Sequence, residues 1–335
     1  MKVSPSLYSS KSSTLKTVTL VKNTLAEYMH IDLKKISRKK LCDVRDDIAI
    51  IRENSELKID MHIIDEAPEM WEKDIVDLNP DYVAFQYENI ASIDSFLKMK
   101  KAIEDTCFTG IAITQKTRFS DIDDIINQCD YVLLMTTIPG ESGGKFNKES
   151  LAWIKEFKNL YPAKRVHVDG GVNKKVADKL KSTNIDVLVS GSYIMSSNSM
   201  ISSVLALKGL DDSSPVRKHM LDLKYIPTVE KDKTILESLS VIEKSQRGFC
   251  FVDVKLDNWG IITDGDIRRF YISNNKIADT RIAECTNFNP FTINIDCTLK
   301  DLNEKIINAK FNKKLKFAIV TRYNKPVGII DLKNT

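Results

Sequence analysis

The sequence predicts an α/β chain: a (β/α)8 barrel of the TIM-barrel kind, followed by a smaller α/β domain. Three observations predict it. Eight short apolar segments alternate with helical patterns between residues 3 and 190, a run too regular for segregated sheets and helices. Polar side chains capable of chemistry fall near the ends of those segments, where barrels of this kind place their sites. Beyond them the alternation gives way to a weak internal repeat. The expected boundaries are a barrel over residues 1–209, a linker over 210–220 and a second domain over 221–335.

The bulk properties agree with two domains. A chain of 335 residues exceeds the ~250–300 at which single cores stop growing. Its 42% hydrophobic and 29% charged residues describe an ordinary soluble globular protein. A net charge of +4, with basic residues scattered, gives no nucleic-acid footprint, and basic patches such as Arg38 to Lys40 read as solvated surface. Six cysteines without a C-x-x-C pair fit neither a disulfide framework nor a thiolate zinc site. With no leader-like start and no apolar run of about 18 residues, a cytoplasmic protein with no membrane partner is expected.

Val3 to Leu7 reads as the first strand, and Leu15, Val18 and Val21 mark a helix within Ser12 to Asn23. Tyr28 to Leu33 is the second strand; His30 and Asp32, two apart, share one face. A third strand begins at Asp60 with His62 at its centre, and E-A-P opens a helix running through Met70 and Ile75. Further strands fall at Asp81 to Gln86, Gly110 to Thr114, Tyr131 to Thr136 and Val187 to Ser190. Helical patterns lie near Ile93 to Ile103, Asp121 to Asn127 and Lys148 to Leu160. Arg165 to Val172 reads R-V-H-V-D-G-G-V, a strand ending in Asp169 and followed by two glycines. Gly170 and Gly171 let backbone N–H groups approach an anion, and the helical pattern of Asn173 to Ser182 puts a positive N-terminus behind them. The plainer reading of this stretch is a strand-to-helix turn with an ordinary aspartate.

Of four histidines, His30 and His62 sit near strand ends together with Asp32 and Asp169. Two imidazoles and two carboxylates at one barrel mouth suit a single divalent ion, zinc, iron or manganese. His167 lies one pleat below Asp169 and reads as structural, and His219 falls in the linker. Glycine-rich turns recur at the last three strand ends, P-G-E-S-G-G from Pro139, D-G-G from Asp169 and S-G-S from Ser190, which is where such barrels hold phosphate.

These motifs resemble those of ribulose-phosphate 3-epimerase over residues 1 to 205. P-S-L at Pro5 matches its opening strand, H-I-D at His30 its first metal pair, and D-M-H-I-I-D-E-A-P from Asp60 the segment of its second metal histidine. M-T-T-I-P-G-E-S-G-G-K-F from Met135 resembles its phosphate loop, and V-D-G-G-V with G-S at Gly191 completes the phosphate site. The resemblance implies a metal-dependent isomerase that inverts C3 of ribulose 5-phosphate to give xylulose 5-phosphate. His30, Asp32, His62 and Asp169 would hold the metal, and Asp32 and Asp169 would act as acid/bases on opposite faces of a cis-enediolate. Ser6, His62 and Met135 would contact substrate, and Gly140, Ser142, Gly143, Gly170, Gly171, Gly191 and Ser192 would surround its phosphate.

The chain departs from the family around the reacting carbons. Lys34, Lys35 and Ile36 stand where the family has Met-Asp-Gly, Ile64 replaces a second methionine, and Gln86 replaces the histidine of a fourth-strand His-x-Glu. Gly140 to Gly144 reads G-E-S-G-G where the family has Gly-Phe-Gly-Gly-Gln. Lys34 is either a positive charge near the enediolate or a solvated lysine. These changes leave the particular ketose phosphate open, and they keep alive a catalytically impaired barrel that binds sugar phosphate or serves as a scaffold. A decarboxylase-like barrel would not need both histidines.

After D-D-S-S-P from Asp211, T-I-L-E-S-L at Thr234 is echoed by T-L-K-D-L at Thr298, and W-G-I-I-T-D-G-D at Trp259 by V-G-I-I-D at Val327. This resembles a tandem cystathionine-β-synthase (CBS) domain pair, in the form found beside sugar-phosphate isomerases. The resemblance implies a CBS-pair domain that binds a nucleotide or nucleotide sugar through Thr263 and Asp266, in a homo-oligomer; a module that only pairs subunits is the alternative.

Overall fold

The computed structural model describes residues 1–34, 38–65, 71–141, 143–254, 258–274, 279–309, 315 and 317–332. The chain divides into two compact units, Met1–Asp212 and Ser213–Thr335.

In the first unit, strands and helices follow one another as β1 (Lys2–Pro5), α1 (Thr14–Val21), β2 (Tyr28–Leu33), α2 (Arg38–Asn54), β3 (Lys58–Ile63), α3 (Glu72–Leu78), β4 (Tyr82–Gln86) and α4 (Ile93–Ile103). They continue as β5 (Phe108–Thr114), α5 (Asp123–Gln128), β6 (Tyr131–Met135), α6 (Lys148–Leu160), β7 (Arg165–Asp169), α7 (Lys174–Leu180), β8 (Val187–Ser190), α8 (Ser192–Met195) and α9 (Met200–Lys208). The eight strands are parallel, in the order β1-β8-β7-β6-β5-β4-β3-β2. A parallel Ser6–His30 bridge joins the two ends of that sheet. The unit is the (β/α)8 barrel the alternation predicts.

Period-2 alternation decides which side chains enter the barrel. Met29, Ile31 and Leu33 of β2, Ile59, Met61 and Ile63 of β3, and Val166 and Val168 of β7 pack outward against the helices. Their neighbours form a separate inner stack of Tyr28, Tyr82, Ala84, Ala112, Tyr131, Leu133, Met135, Val187 and Val189. Both faces are apolar because both are covered, as in all-parallel sheets generally. Gly110 is part of that fit: a Cβ there would lie 2.7 Å from the Tyr131 ring, so the missing side chain makes room for the tyrosine. Four barrel helices are held at their starts by side-chain caps, Ser92 on α4, Asn147 on α6, Asn173 on α7 and Ser199 on α9, each contributing about 1 kcal/mol.

The second unit contains β9 (Leu221–Asp222), β10 (Thr228–Val229), α10 (Ile235–Ser245), β11 (Phe249–Val252), β12 (Gly260–Thr263), α11 (Asp264–Asn274), β13 (Thr292–Asn294), α12 (Leu299–Asn308), β14 (Phe317–Arg322) and β15 (Lys325–Asp331). Two sheets form, β10-β11-β12 and β13-β14-β15-β9. In each, a short strand runs parallel to the first member of an antiparallel pair. The internal repeat in the sequence is thus a structural repeat. Residues 213–220 pack with this unit: Val216 is fully buried and its N–H donates to the Cys297 carbonyl at 2.9 Å. Among the described residues, no helix is long and apolar enough to cross a membrane.

Candidate active site and metal centre

Alternation along β2, β3 and β7 carries His30, Asp32, Asp60, His62, His167 and Asp169 into the barrel. The parallel register sets His30 beside Asp60, and Asp32 beside His62. One ligand atom from each of His30, Asp32, His62 and Asp169 lies within 4.8 Å of the other three. His30 Nε2 is 3.3 Å from Asp32 Oδ1 and 3.9 Å from Asp169 Oδ2, and His62 Nδ1 is 3.2 Å from Asp32 Oδ1. His167 lies deeper, with its Nδ1 3.7 Å from Asp60 Oδ1 and its ring 4.4 Å from that of Tyr131; it is not one of the four.

The two histidines are oriented from behind. His30 Nδ1 is 3.0 Å from Asp60 Oδ2, a buried carboxylate that also accepts from Ser4 Oγ at 3.1 Å. His62 Nε2 is 2.9 Å from Gln86 Oε1. With its N–H on that protein acceptor, each imidazole in its neutral form turns its other nitrogen, a lone pair, toward the carboxylates. A lone pair facing a carboxylate oxygen at 3.2–3.3 Å is repulsive unless a proton or a metal ion sits between them. Two neutral nitrogens and two carboxylates also match the donor set of a divalent transition ion, with its outer partners in place. The residues fit the metal.

The charges show the same tension. Burial would lower the pKa of His30, but the adjoining Asp32 and Asp60 carboxylates carry it well above the usual imidazole range. Burial would raise Asp32, and the two histidines instead hold it far below the usual carboxylate range. Asp60 is held low in the same way, against burial, by His30 and His167. Asp169 goes the other way: burial, followed by the like charge of Asp32, outweighs the histidines and pushes it up to about 6.

Above the quartet lies a cavity of about 450 Å3. Asp32, Asp169, Ser6, Met135, Gly140, Gly143, Gly170, Gly171, Gly191 and Ser192 all line it, as does Lys34. His30 and His62 are fully buried beneath. Ser142, Lys35 and Ile36 lie outside the described residues, as does the E-A-P segment with Met70. The glycines are demanded by close approach as well as by backbone angle. Gly170 has φ +112°, and a Cβ there would meet Thr137 Oγ1 at 2.5 Å; one on Gly191 would run into Ser9 Oγ. Thr136 fastens the strand end that presents Asp169, its N–H and hydroxyl donating to the Asp169 carbonyl at 2.7 and 2.9 Å. Gly140 packs over the ends of β2 and β3, where its Cβ would lie 3.2 Å from Lys34 Cδ and 3.0 Å from Ile64 Cδ1.

Sequence reasoning gave no role to Asp60, Gln86 or Glu88. The signal was present in each case: Asp60 and His62, like Gln86 and Glu88, are two apart on a strand or its end, the same spacing that marks His30 and Asp32.

In the second unit, Thr263 and Asp266 face each other at the start of α11. The Thr263 hydroxyl donates to Asp266 Oδ2 at 2.7 Å, the Thr263 N–H donates to the same oxygen at 2.9 Å, and the Asp266 N–H donates to Thr263 Oγ1 at 3.3 Å. This is a capping box. The same arrangement recurs as Thr234 with Glu237 on α10 and Thr298 with Asp301 on α12, so helix capping alone explains the T-x-x-D pattern. A cavity of about 410 Å3 in this unit is lined by His219, Leu221, Gln246, Arg247, Phe249, Phe317, Ile329 and Asp331. Phe249 is the register partner of Thr263.

Residues 2–195 match the model of the ribulose-phosphate 3-epimerase family. The ribulose-phosphate 3-epimerase of Helicobacter pylori strain J99 is 30% identical over 220 residues, 63% of this chain and 97% of that protein. That of Aquifex aeolicus is 27% identical over 164 residues, 48% of this chain and 73% of that protein. A solved CBS domain of a bacterial CNNM/CorC family Mg2+ transporter in complex with ATP is 17% identical, covering 36% of this chain and 83% of that chain, with a TM-score of 0.30. From its barrel, the chain belongs to the ribulose-phosphate 3-epimerase family of isomerases.

Proposed function

We propose that the barrel epimerises C3 of a ketose phosphate, ribulose 5-phosphate to xylulose 5-phosphate or a related sugar phosphate, through a cis-enediolate with Asp32 and Asp169 as the acid/base pair. The convergence of His30, Asp32, His62 and Asp169 under a cavity walled by glycines supports this reading. A divalent zinc, iron or manganese ion held by those four residues would supply Lewis-acid polarisation of the carbonyl beside C3. The remaining work belongs to the side chains and backbone. Asp32 is the penultimate residue of β2 and Asp169 ends β7, so the carboxylates reach a sugar lying across the mouth from two sides; one takes the C3 proton and the other returns a proton to the opposite face. Gly170, Gly171, Gly191 and Ser192 would present backbone to the phosphate, with Ser6 and Met135 against the sugar. Ribulose 5-phosphate given to purified protein should be converted to xylulose 5-phosphate, and chelation should stop the conversion. No conversion of any ketose phosphate by metal-loaded protein would refute the reading.

One zinc, iron or manganese per chain is the expected content of purified protein, because two imidazoles and two carboxylates make a complete ligand set. Elemental analysis checks it. Metal-free protein whose melting temperature and activity stay unmoved by added metal would contradict the quartet.

A second reading, a barrel that binds sugar phosphate without turning it over, draws support from Lys34 and Ile64, which pack around Gly140 where the family has methionines. Full ligand sets are not needed for that role, so metal-dependent conversion separates the two.

For the second unit the proposal is a CBS pair that senses a nucleotide or nucleotide sugar, with subunits paired through it. Thr263 would contribute a phosphate contact and Asp266 a ribose-hydroxyl contact from the α11 start, beside the Phe249 and Phe317 rings. Binding to the folded form alone raises the melting temperature by mass action, and Asp266→Ala should abolish that rise while leaving metal content unchanged. A panel of adenine, cytidine, guanosine and uridine nucleotides and their sugar conjugates that gives no shift would leave only a pairing module.

A further inference from the structure

Behind the quartet, a chain of hydrogen bonds that the epimerisation chemistry does not use runs from exposed Glu88 inward to buried Gln86 and His62. It starts at Glu88, whose Oε1 accepts from the Thr114 N–H at 3.0 Å, the Thr114 hydroxyl at 2.7 Å and the Thr117 hydroxyl at 2.6 Å. Burial would raise the Glu88 pKa, but these donors outweigh it and hold the group below its usual range, as an ionised acceptor. Gln86, 3% exposed, donates its amide to Glu88 Oε2 and to the Ala112 carbonyl. With both N–H bonds of its amide engaged, Gln86 can turn only its oxygen toward His62 Nε2, 2.9 Å away. An amide oxygen only accepts, so His62 Nε2 carries the hydrogen, and in the neutral ring Nδ1 is left as a lone pair, 3.2 Å from Asp32 Oδ1.

We infer that Gln86 and Glu88 are positioning residues that lock His62 in the tautomer whose Nδ1 can ligate a metal. The inference rests on the metal centre of the proposed function and asks nothing of turnover. Its logic is directional. Glu88 fixes which way the Gln86 amide faces, the amide fixes which His62 nitrogen is protonated, and that leaves the other nitrogen for the ion. The family resemblance puts a histidine at position 86. An imidazole with its N–H on Glu88 would offer a lone pair to His62 from the same place, so glutamine keeps the direction of the bond while changing the group that makes it.

The test is the Zn2+ affinity of metal-stripped, full-length protein, measured by competition with a chromophoric chelator. Gln86→Leu should weaken zinc binding by about ten- to hundredfold, the usual effect of losing an outer partner, and Gln86→His should restore it. Glu88→Gln should weaken it as well, because an amide at 88 no longer dictates how Gln86 is turned; it carries the comparison if Gln86→Leu does not fold. A second readout separates tautomer from bulk stability. Above the histidine titration range, 15N–1H correlations of metal-free protein should show His62 protonated at Nε2 in the wild type and in Gln86→His, and a mixture in Gln86→Leu. Zinc affinity in Gln86→Leu within about twofold of wild type, far short of an outer-partner loss, or a wild-type His62 protonated at Nδ1, overturns the inference. Wild-type protein that binds no zinc removes the metal centre instead, and the tautomer measurement still decides the lock.

Discussion

Asp32→Asn and Asp169→Asn should each lower epimerisation by at least about a hundredfold, within the range for positioned acid/base groups. Asparagine keeps the shape of the side chain but gives up the negative charge and the ability to take a proton. The variants should differ in what survives. If each carboxylate serves one face, each variant should still exchange the C3 hydrogen of one epimer with solvent while failing to invert it, and the two variants should spare opposite epimers. Asp32 Oδ1 stands within 3.3 Å of both histidines, so metal content must be measured beside turnover. Near wild-type turnover in either variant, with metal retained, would remove the two-base mechanism.

Gly170→Ala should be strongly destabilising. Gly170 has φ +112°, and an added Cβ would fall 2.5 Å from Thr137 Oγ1 and 2.7 Å from both Thr136 Oγ1 and the Thr137 backbone nitrogen. Backbone strain and overpacking each cost about 1–3 kcal/mol, so a loss of about 2–4 kcal/mol is expected, roughly 5–15 °C in Tm for a unit of this size. Substrate KM should rise with it, because Thr136 and the Asp169–Gly170 turn would have to part. Gly143 is the control: φ is +83° but nothing lies within 4 Å of its would-be Cβ, so Gly143→Ala should cost only the backbone term, about 1–2 kcal/mol. Equal melting temperatures for the two variants would contradict the close-approach argument.

The barrel was legible because its strands are short apolar runs closed on both faces, a pattern that survives without any tertiary information. What escaped was decided by tertiary context. Helix α2 carries Leu41, Val44, Ile48 and Ile51 at helical spacing, yet it begins in the basic stretch Arg38 to Lys40 and holds Arg45, Asp46 and Asp47 between its apolar positions. The charge masked the period. The ends of strands were similarly blurred: Leu7, read as the end of the first strand, begins a short 3-10 turn. In the site, residue type pointed to His30 and His62 because histidine is scarce in this chain. Asp60 and Gln86 are common residue types whose importance lies in which nitrogen they touch, and that is fixed by the register of β2, β3 and β4. Thr263 and Asp266 teach the reverse lesson, since T-x-x-D and T-x-x-E recur at three helix starts of one unit. Spacing alone does not separate a cap from a ligand contact.

Solvent-deuterium incorporation, followed by NMR on several ketose phosphates in the presence of metal-loaded protein, bears most directly on proton transfer at C3 by Asp32 and Asp169. The expected result is deuterium at C3 of the inverted product, at no other carbon, and none after chelation. Inversion with C3 hydrogen fully retained, or exchange that continues unchanged in metal-free protein, would contradict it.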